Sequence, residues 1–294
     1  MATATDSNKP TIRLVECPRD AMQGLHDFIP TESKVAYINQ LLKVGFDMLD
    51  FGSFVSPKAI PQMADTPQVL EQLNLSETRT KLLAIIGNVR GAEDAVKFKQ
   101  IDFLGFPFSI SETFQQRNIN STIAESVERI KEIKSLCDDN GKKLMIYISM
   151  GFGNPYGDPW SAAVAAQWVE RLVAMQIKYI SLADTIGVAN PESIRYLFTN
   201  LIPAFPDVDF GAHLHTTPDA WLEKIDAAYE SGCVRFDGAI KGFGGCPMAA
   251  DDLTGNMATE NIIQYFNHEN VALNINKKEF RESVRKALAT FPLI

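Results

Sequence analysis

The stretch Asp209-Phe210-Gly211-Ala212-His213-Leu214-His215 is a short apolar run that ends in two imidazoles. As a strand it alternates faces, so His213 and His215 point the same way with Cβ atoms roughly 6 to 7 Å apart. That spacing suits two ligands of one metal ion, and equally two hydrogen-bonded histidines half buried in a core. Similar brief apolar runs recur along the chain. They are Ile12 to Cys17, Met48 to Phe51, Leu82 to Ile86, Ile101 to Phe106, Leu144 to Ser149, Tyr179 to Leu182, Asp209 to Leu214 and Val234 to Phe236. Runs that are apolar throughout, rather than alternating with polar residues, are expected of parallel strands covered on both faces.

Helical periodicity fills the intervals. Val35, Ile38, Leu41 and Leu42 make one apolar face that stops at Gly45, and Val69 to Leu73, Gly91 to Phe98, Ile123 to Cys137 and Trp160 to Met175 follow. Pro191 opens a helix through Phe198, and Pro218 to Ser231 and Thr259 to Phe266 complete the set. The segment Ser109 to Asn120 reads as a long polar loop, and Gly151 to Pro159 as an irregular connection. Strand and helix alternating in this way predict an α/β chain folded as a (β/α)8 TIM barrel. A short C-terminal helical extension, Lys278 to Thr290, follows it. We expect one domain over 1–294, with the barrel at about 11–270 and the extension at about 271–294. A doubly wound open sheet competes, but no glycine-rich phosphate turn follows the first strand.

Bulk properties narrow the function. A net charge of -8 disfavours a general affinity for nucleic acid, and no apolar run approaches the length needed to span a bilayer. Cys17, Cys137, Cys233 and Cys246 form no C-x-x-C pair in a chain too long to need disulfide staples, which fits a reducing cytoplasm. Met1 to Pro10 is polar, unlike a secretory or transit leader, and the last residues are not a peroxisomal S-K-L address.

Barrel active sites lie at the C-terminal ends of the strands. There the chain carries Arg19, Asp20 and Gln23 after strand 1, Asp50 and Ser53 at strand 2, and Asp184 after strand 6. His213 and His215 follow at strand 7, and Cys246 and Asn256 after strand 8. Asp20, His213, His215 and Asn256 form a nitrogen and oxygen donor set without thiolate, suited to Mg²⁺ or Mn²⁺ rather than structural zinc. Arg19 supplies a permanently charged fork for an enolate or carboxylate. Asp50 and Asp184 are candidate acid, base or orienting groups, or structural acceptors. Cys246 follows Gly242, Gly244 and Gly245 in a loop whose composition permits movement, where a thiol could pass a proton.

Several segments together resemble the hydroxymethylglutaryl-CoA lyase family. They are Cys17-Pro18-Arg19-Asp20 with Gln23, Ser53-Phe54-Val55-Ser56-Pro57-Lys58 with Pro61-Gln62-Met63, and Ser181 with Asp184-Thr185-Ile186-Gly187. His213-x-His215 and Gly244-Gly245-Cys246-Pro247 with Gly255-Asn256 complete the likeness, which runs from Ile12 to Ile263. The wider pyruvate-carboxyltransferase-like, or DRE-TIM metallolyase, superfamily shares the R-D and H-x-H elements.

The resemblance implies retro-aldol cleavage of 3-hydroxy-3-methylglutaryl-CoA to acetoacetate and acetyl-CoA, as in leucine degradation and ketone-body formation. It implies a divalent metal on Asp20, His213, His215 and Asn256, and catalytic roles for Arg19, Cys246, Asp50 and Asp184. Arg19, Gln23 and Ser53 would contact the acyl-CoA thioester, and the enzyme would be a homodimer. Related acyl-CoA lyases, Claisen-type synthases and a non-catalytic acyl-CoA or metal-binding barrel are the alternatives. Departures bear on the acyl group: Asp50 stands where glutamate is usual, Thr216 where aspartate is usual, and Ala21 and Met22 interrupt the usual R-D-G-L-Q. The loop from Cys246 to Asn256 is also one residue longer than the common pattern.

Overall fold

The computed structural model describes residues 10–245 and 254–291, so Cys246 lies outside the described residues. Eight parallel strands pair in chain order, and the eighth returns to the first to close a barrel. They are β1 (Arg13–Glu16), β2 (Met48–Ser53), β3 (Lys81–Ile85), β4 (Phe103–Ser109), β5 (Lys143–Ser149), β6 (Tyr179–Asp184), β7 (Asp209–Leu214) and β8 (Arg235–Gly238). The expected fold is the observed one.

The helices are α1 (Pro18–Gln23), α2 (Thr31–Leu42), α3 (Thr66–Glu71), α4 (Val89–Ala95), α5 (Glu112–Ile119) and α6 (Ile123–Asp139). They continue with α7 (Ala162–Ala174), α8 (Pro191–Ala204), α9 (Trp221–Glu230), α10 (Thr259–His268) and α11 (Lys277–Thr290). Helix α5 falls in the segment read as a polar loop, and α1 in the polar stretch that follows the first strand. Helix α1 starts at Pro18, whose fixed φ and missing N–H suit a first helical position. Helix α5 is capped by the Ser111 hydroxyl, which accepts from Phe114 N, and ends at Asn120 in the left-handed region. Both are too short and polar for hydrophobic periodicity to reveal.

Alternation along each strand divides the apolar side chains between two cores. Inward residues such as Val15, Met48, Leu83, Phe103, Met145 and Tyr147 fill the barrel. Outward residues such as Leu14, Leu49, Leu104, Ile146 and Phe236 join the larger layer beneath the helices. Strand β8 runs two residues beyond the expected Phe236, and its inward positions carry Arg235 and Asp237 instead of apolar groups. Helix α11 packs on α2, where Gln40 donates to the Glu279 carbonyl, and on the connection after it, where Phe280 meets Phe46 edge-on at 6.3 Å. Among the described residues no helix is long and apolar enough to cross a membrane.

Strand β2 departs from regular pairing in a way that shapes the site. Its register with β3 shifts between Asp50 and Gly52, which marks a bulge. Simple alternation would put Asp50 and Ser53 on opposite faces. The extra residue lets Ser53 line the same cleft as Arg19.

Candidate functional site

A cleft opens at the C-terminal end of the barrel, lined by Arg19, Asp20, Gln23, Ser53, His213 and His215, among others. Helix α1 supplies the first three. Arg19 Nη1 donates to Asp20 Oδ1 at 2.9 Å, and Gln23 Nε2 donates to the same oxygen at 2.6 Å. Asn256 Nδ2 donates to Asp20 Oδ2 at 2.7 Å and to the Phe243 carbonyl at 2.8 Å. With both amide protons directed at acceptors, the Asn256 amide oxygen is left to accept or to ligate.

The glycine segment reaches this cluster by close backbone contact. Gly244 has φ +91° and passes so near α1 that a Cβ would lie 2.5 Å from the Asp20 carbonyl oxygen. Only glycine satisfies both the angle and the space. Asn256 is brought in by an antiparallel bridge to His215, with Met257 N donating to the Leu214 carbonyl at 2.9 Å.

Asp20, His213 and His215 can each turn one ligand atom to a common point, with those atoms within 4.8 Å of one another. Their electrostatics suit a cation. Burial works to raise the Asp20 pKa, but Arg19, the two imidazoles and the Asn256 amide outweigh it, so the group stays below the usual carboxylate range. Burial and the neighbouring His213 lower His215 to about 4, which leaves it neutral and able to ligate near neutral pH. His215 Nδ1 is buried without a hydrogen-bond partner among the described residues. Burial also opposes charge on His213, but the hydrogen-bonded Asp237 carboxylate outweighs it and holds the imidazole above its ordinary value. Three converging donors, an ionised carboxylate and an orphaned imidazole nitrogen fit a divalent cation.

The expected site residues do not all meet here. Asp50 is 1% exposed and does not line the cleft. It sits behind Arg19, accepting from Nε at 3.0 and 3.2 Å and from Nη2. Burial pushes its pKa up, against the pull of the guanidinium. Asp184 lies outside the cluster: Lys224 Nζ donates to its Oδ2 at 2.8 Å, and Ala189 N donates to its Oδ1 at 3.0 Å. The same Nζ also donates to the His215 carbonyl at 2.8 Å, so this buried pair braces the end of β7.

Two groups at the site were not anticipated. The Tyr147 ring meets the His213 ring edge-on at 5.5 Å, and its buried hydroxyl has no partner among the described residues. Asp237 Oδ2 lies 3.2 Å from His213 Nδ1. The available signal was two charges at alternate positions, Arg235 and Asp237, around an apolar Phe236.

Comparison with known proteins identifies relatives over nearly the whole chain. A hydroxymethylglutaryl-CoA lyase of Bacillus subtilis is 31% identical over 277 residues, spanning 94% of this chain and 91% of the relative. A cytoplasmic 3-hydroxy-3-methylglutaryl-CoA lyase of Rattus norvegicus is 31% identical over 257 residues, spanning 87% of this chain and 74% of the relative. The structure of an HMG-CoA lyase from Acinetobacter baumannii, in complex with coenzyme A and 3-methylmalate, superposes with a TM-score of 0.88 at 29% identity. It covers 99% of this chain and 93% of its own. The family described as HMGL-like matches residues 12–286, and with the barrel, the donor cluster and these relatives in agreement, the chain belongs to the HMGL-like family.

Proposed function

We propose that this protein is a divalent-metal-dependent carbon–carbon lyase that cleaves 3-hydroxy-3-methylglutaryl-CoA to acetoacetate and acetyl-CoA. The observation that carries the reading is the convergence of Asp20, His213 and His215 in a cleft that Arg19 also lines. Asp20, His213, His215 and the Asn256 amide oxygen would hold the ion, and a donor set without thiolate favours Mg²⁺ or Mn²⁺. When bound, the cation supplies Lewis acidity toward substrate oxygens.

The chain's own residues then bind, orient and move protons. Cleavage removes the proton of the tertiary hydroxyl, makes that carbon–oxygen bond double and breaks the adjacent carbon–carbon bond. The electron pair is left on the thioester as an enolate. Asp20, the carboxylate in the cleft wall, is assigned the hydroxyl proton, and Asp50 acts from behind as the anchor of Arg19. Arg19 commits three of its five N–H groups to Asp50 and Asp20, leaving one on each terminal nitrogen for the enolate oxygen. Gln23 and Ser53 line the same cleft and are assigned to substrate contact. Cys246, which follows Gly245 directly, is assigned the return of a proton to carbon. Asp184 is a positioning group that acts through Lys224 on the backbone of His215.

With this activity we propose a single domain and a cytoplasmic homodimer. The location is supported by the buried free thiols of Cys17, Cys137 and Cys233, and the dimer by family resemblance. The deciding experiment follows acetoacetate release from the thioester by wild type and Cys246→Ser, each with and without added Mn²⁺. We expect metal-dependent release by wild type and loss of most turnover in the variant, since a hydroxyl is a far weaker acid than a thiol. No release by metal-loaded wild type overturns the lyase reading. Full turnover by Cys246→Ser removes that residue from the mechanism.

A further inference from the structure

The metal reading leaves a charged pair inside β8 without a role. Asp237 lies in the same barrel layer as His213, its lateral partner across the β7–β8 pairing. Its side chain is 0% exposed, and Oδ2 stands 3.2 Å from His213 Nδ1. A carboxylate can only accept, so Nδ1 carries the proton and Nε2 keeps the lone pair that a metal would need.

The carboxylate is itself held from below. Arg235 Nη1 lies 3.9 Å from Asp237 Oδ1 and donates to Ser181 Oγ at 3.0 Å, and that hydroxyl lies 3.5 Å from Asp237 Oδ2. Arg235 is 2% exposed and fixed in turn: Nε donates to Asp209 Oδ1, and Nη2 to the Ile180 and Asp209 carbonyls, all at 3.1 Å. The guanidinium occupies space that Gly211 leaves open, because a Cβ there would lie 2.6 Å from Arg235 Cζ. A positive group built into the barrel interior thus faces the carboxylate that faces the imidazole.

We infer that Asp237 is a positioning residue for the metal centre: it sets the tautomer and ring orientation of His213, and Arg235 holds the carboxylate in place. A ligating imidazole is commonly oriented by such a carboxylate on its second nitrogen, and loss of the partner weakens metal binding. This inference rests on the metal reading above. A purely structural salt bridge within the barrel would affect folding but not the histidine tautomer or the affinity of the folded protein for metal.

The test titrates the full chain with Mn²⁺ and reads free ion by electron paramagnetic resonance. Asp237→Asn keeps the shape but presents an amide N–H where only an acceptor stood, and the Kd for Mn²⁺ should rise about 10- to 100-fold. Ser283→Ala, a buried serine of α11 whose hydroxyl donates to the Glu279 carbonyl of its own helix, should stay close to wild type. A second measurement needs no variant: ¹⁵N shifts of His213 before metal is added, at about pH 8, should report a proton on Nδ1 and a bare Nε2. An unchanged Kd in folded Asp237→Asn, or a wild-type proton on Nε2, overturns the inference while the metal site stands. Wild type that binds no Mn²⁺ overturns the metal reading itself, and the inference with it.

Discussion

Arg19 gains its role from what it touches. A guanidinium on a short polar helix is usually a surface charge, but here it is 8% exposed, lines the cleft and is gripped by two carboxylates, which fix its plane. Asp50 is the stronger anchor because it meets Nε and Nη2 together. Asp50→Ala should lower kcat about 100-fold through misplacement of Arg19, with Mn²⁺ affinity nearly unchanged. It should also cost about 3 kcal/mol of stability, because one anchor of a buried charge is gone. Asp50→Glu, which still offers a carboxylate, should be milder in both respects. Steady-state kinetics alongside metal titration would check this, and wild-type kcat in the alanine variant would reduce Asp50 to a structural acceptor. The chemical character of these residues was legible in the sequence, but their partners were not. Asp50 and Asp184 read alike, and only contacts across the barrel separate an anchor of Arg19 from a brace under His215.

At the level of elements, closure of β1 against β8 concentrates a different kind of cost. Glu16 ends β1 with no exposure, accepting from Ile240 N at 2.8 Å and from the Thr259 hydroxyl at 2.6 Å. It ties the strand to the segment after β8 and to α10. Burial, only partly offset by those bonds, raises its pKa from 4.5 to about 8. The folded protein therefore keeps a proton that the unfolded chain releases above about pH 4.5. The stability this group contributes is full below that value and is lost as pH rises through about 8. Glu16→Gln mimics the protonated form, so its stability relative to wild type should grow between pH 5 and 8, by on the order of a few kcal/mol. Urea unfolding at the two pH values measures the difference, and parallel wild-type and variant profiles would refute it. Elements also limit what sequence can tell. The apolar runs announced the strands, whereas α1, α5 and the bulge in β2 rest on proline geometry, one serine cap and a register shift, none of which has a periodic signature.

For the whole molecule, the site joins distant parts of the chain, because α1, the end of β7 and Asn256 meet at Asp20 and its neighbours. A ligand that binds only this assembled form should stabilise the fold. At 100 times its Kd, Mn²⁺ should contribute about 2.7 kcal/mol and raise Tm by roughly 5 °C. His215→Ala should fold but lose most of that increment, and an equal rise in the variant would place the bound ion elsewhere. The sequence by itself determined the architecture, because each strand and helix is specified by a local pattern of apolar residues and eight such units close in only a few ways. It also determined which end of the barrel carries the polar groups, since these follow the strands in chain order. Only the tertiary structure decided which of those groups meet. It set Asp50 behind Arg19, tied Asp184 to Lys224, turned Ser53 into the cleft and placed Asp237 against His213. The physical reason is that alternation along a strand is local, whereas a side chain's neighbours, burial and protonation depend on register between strands that are remote in sequence.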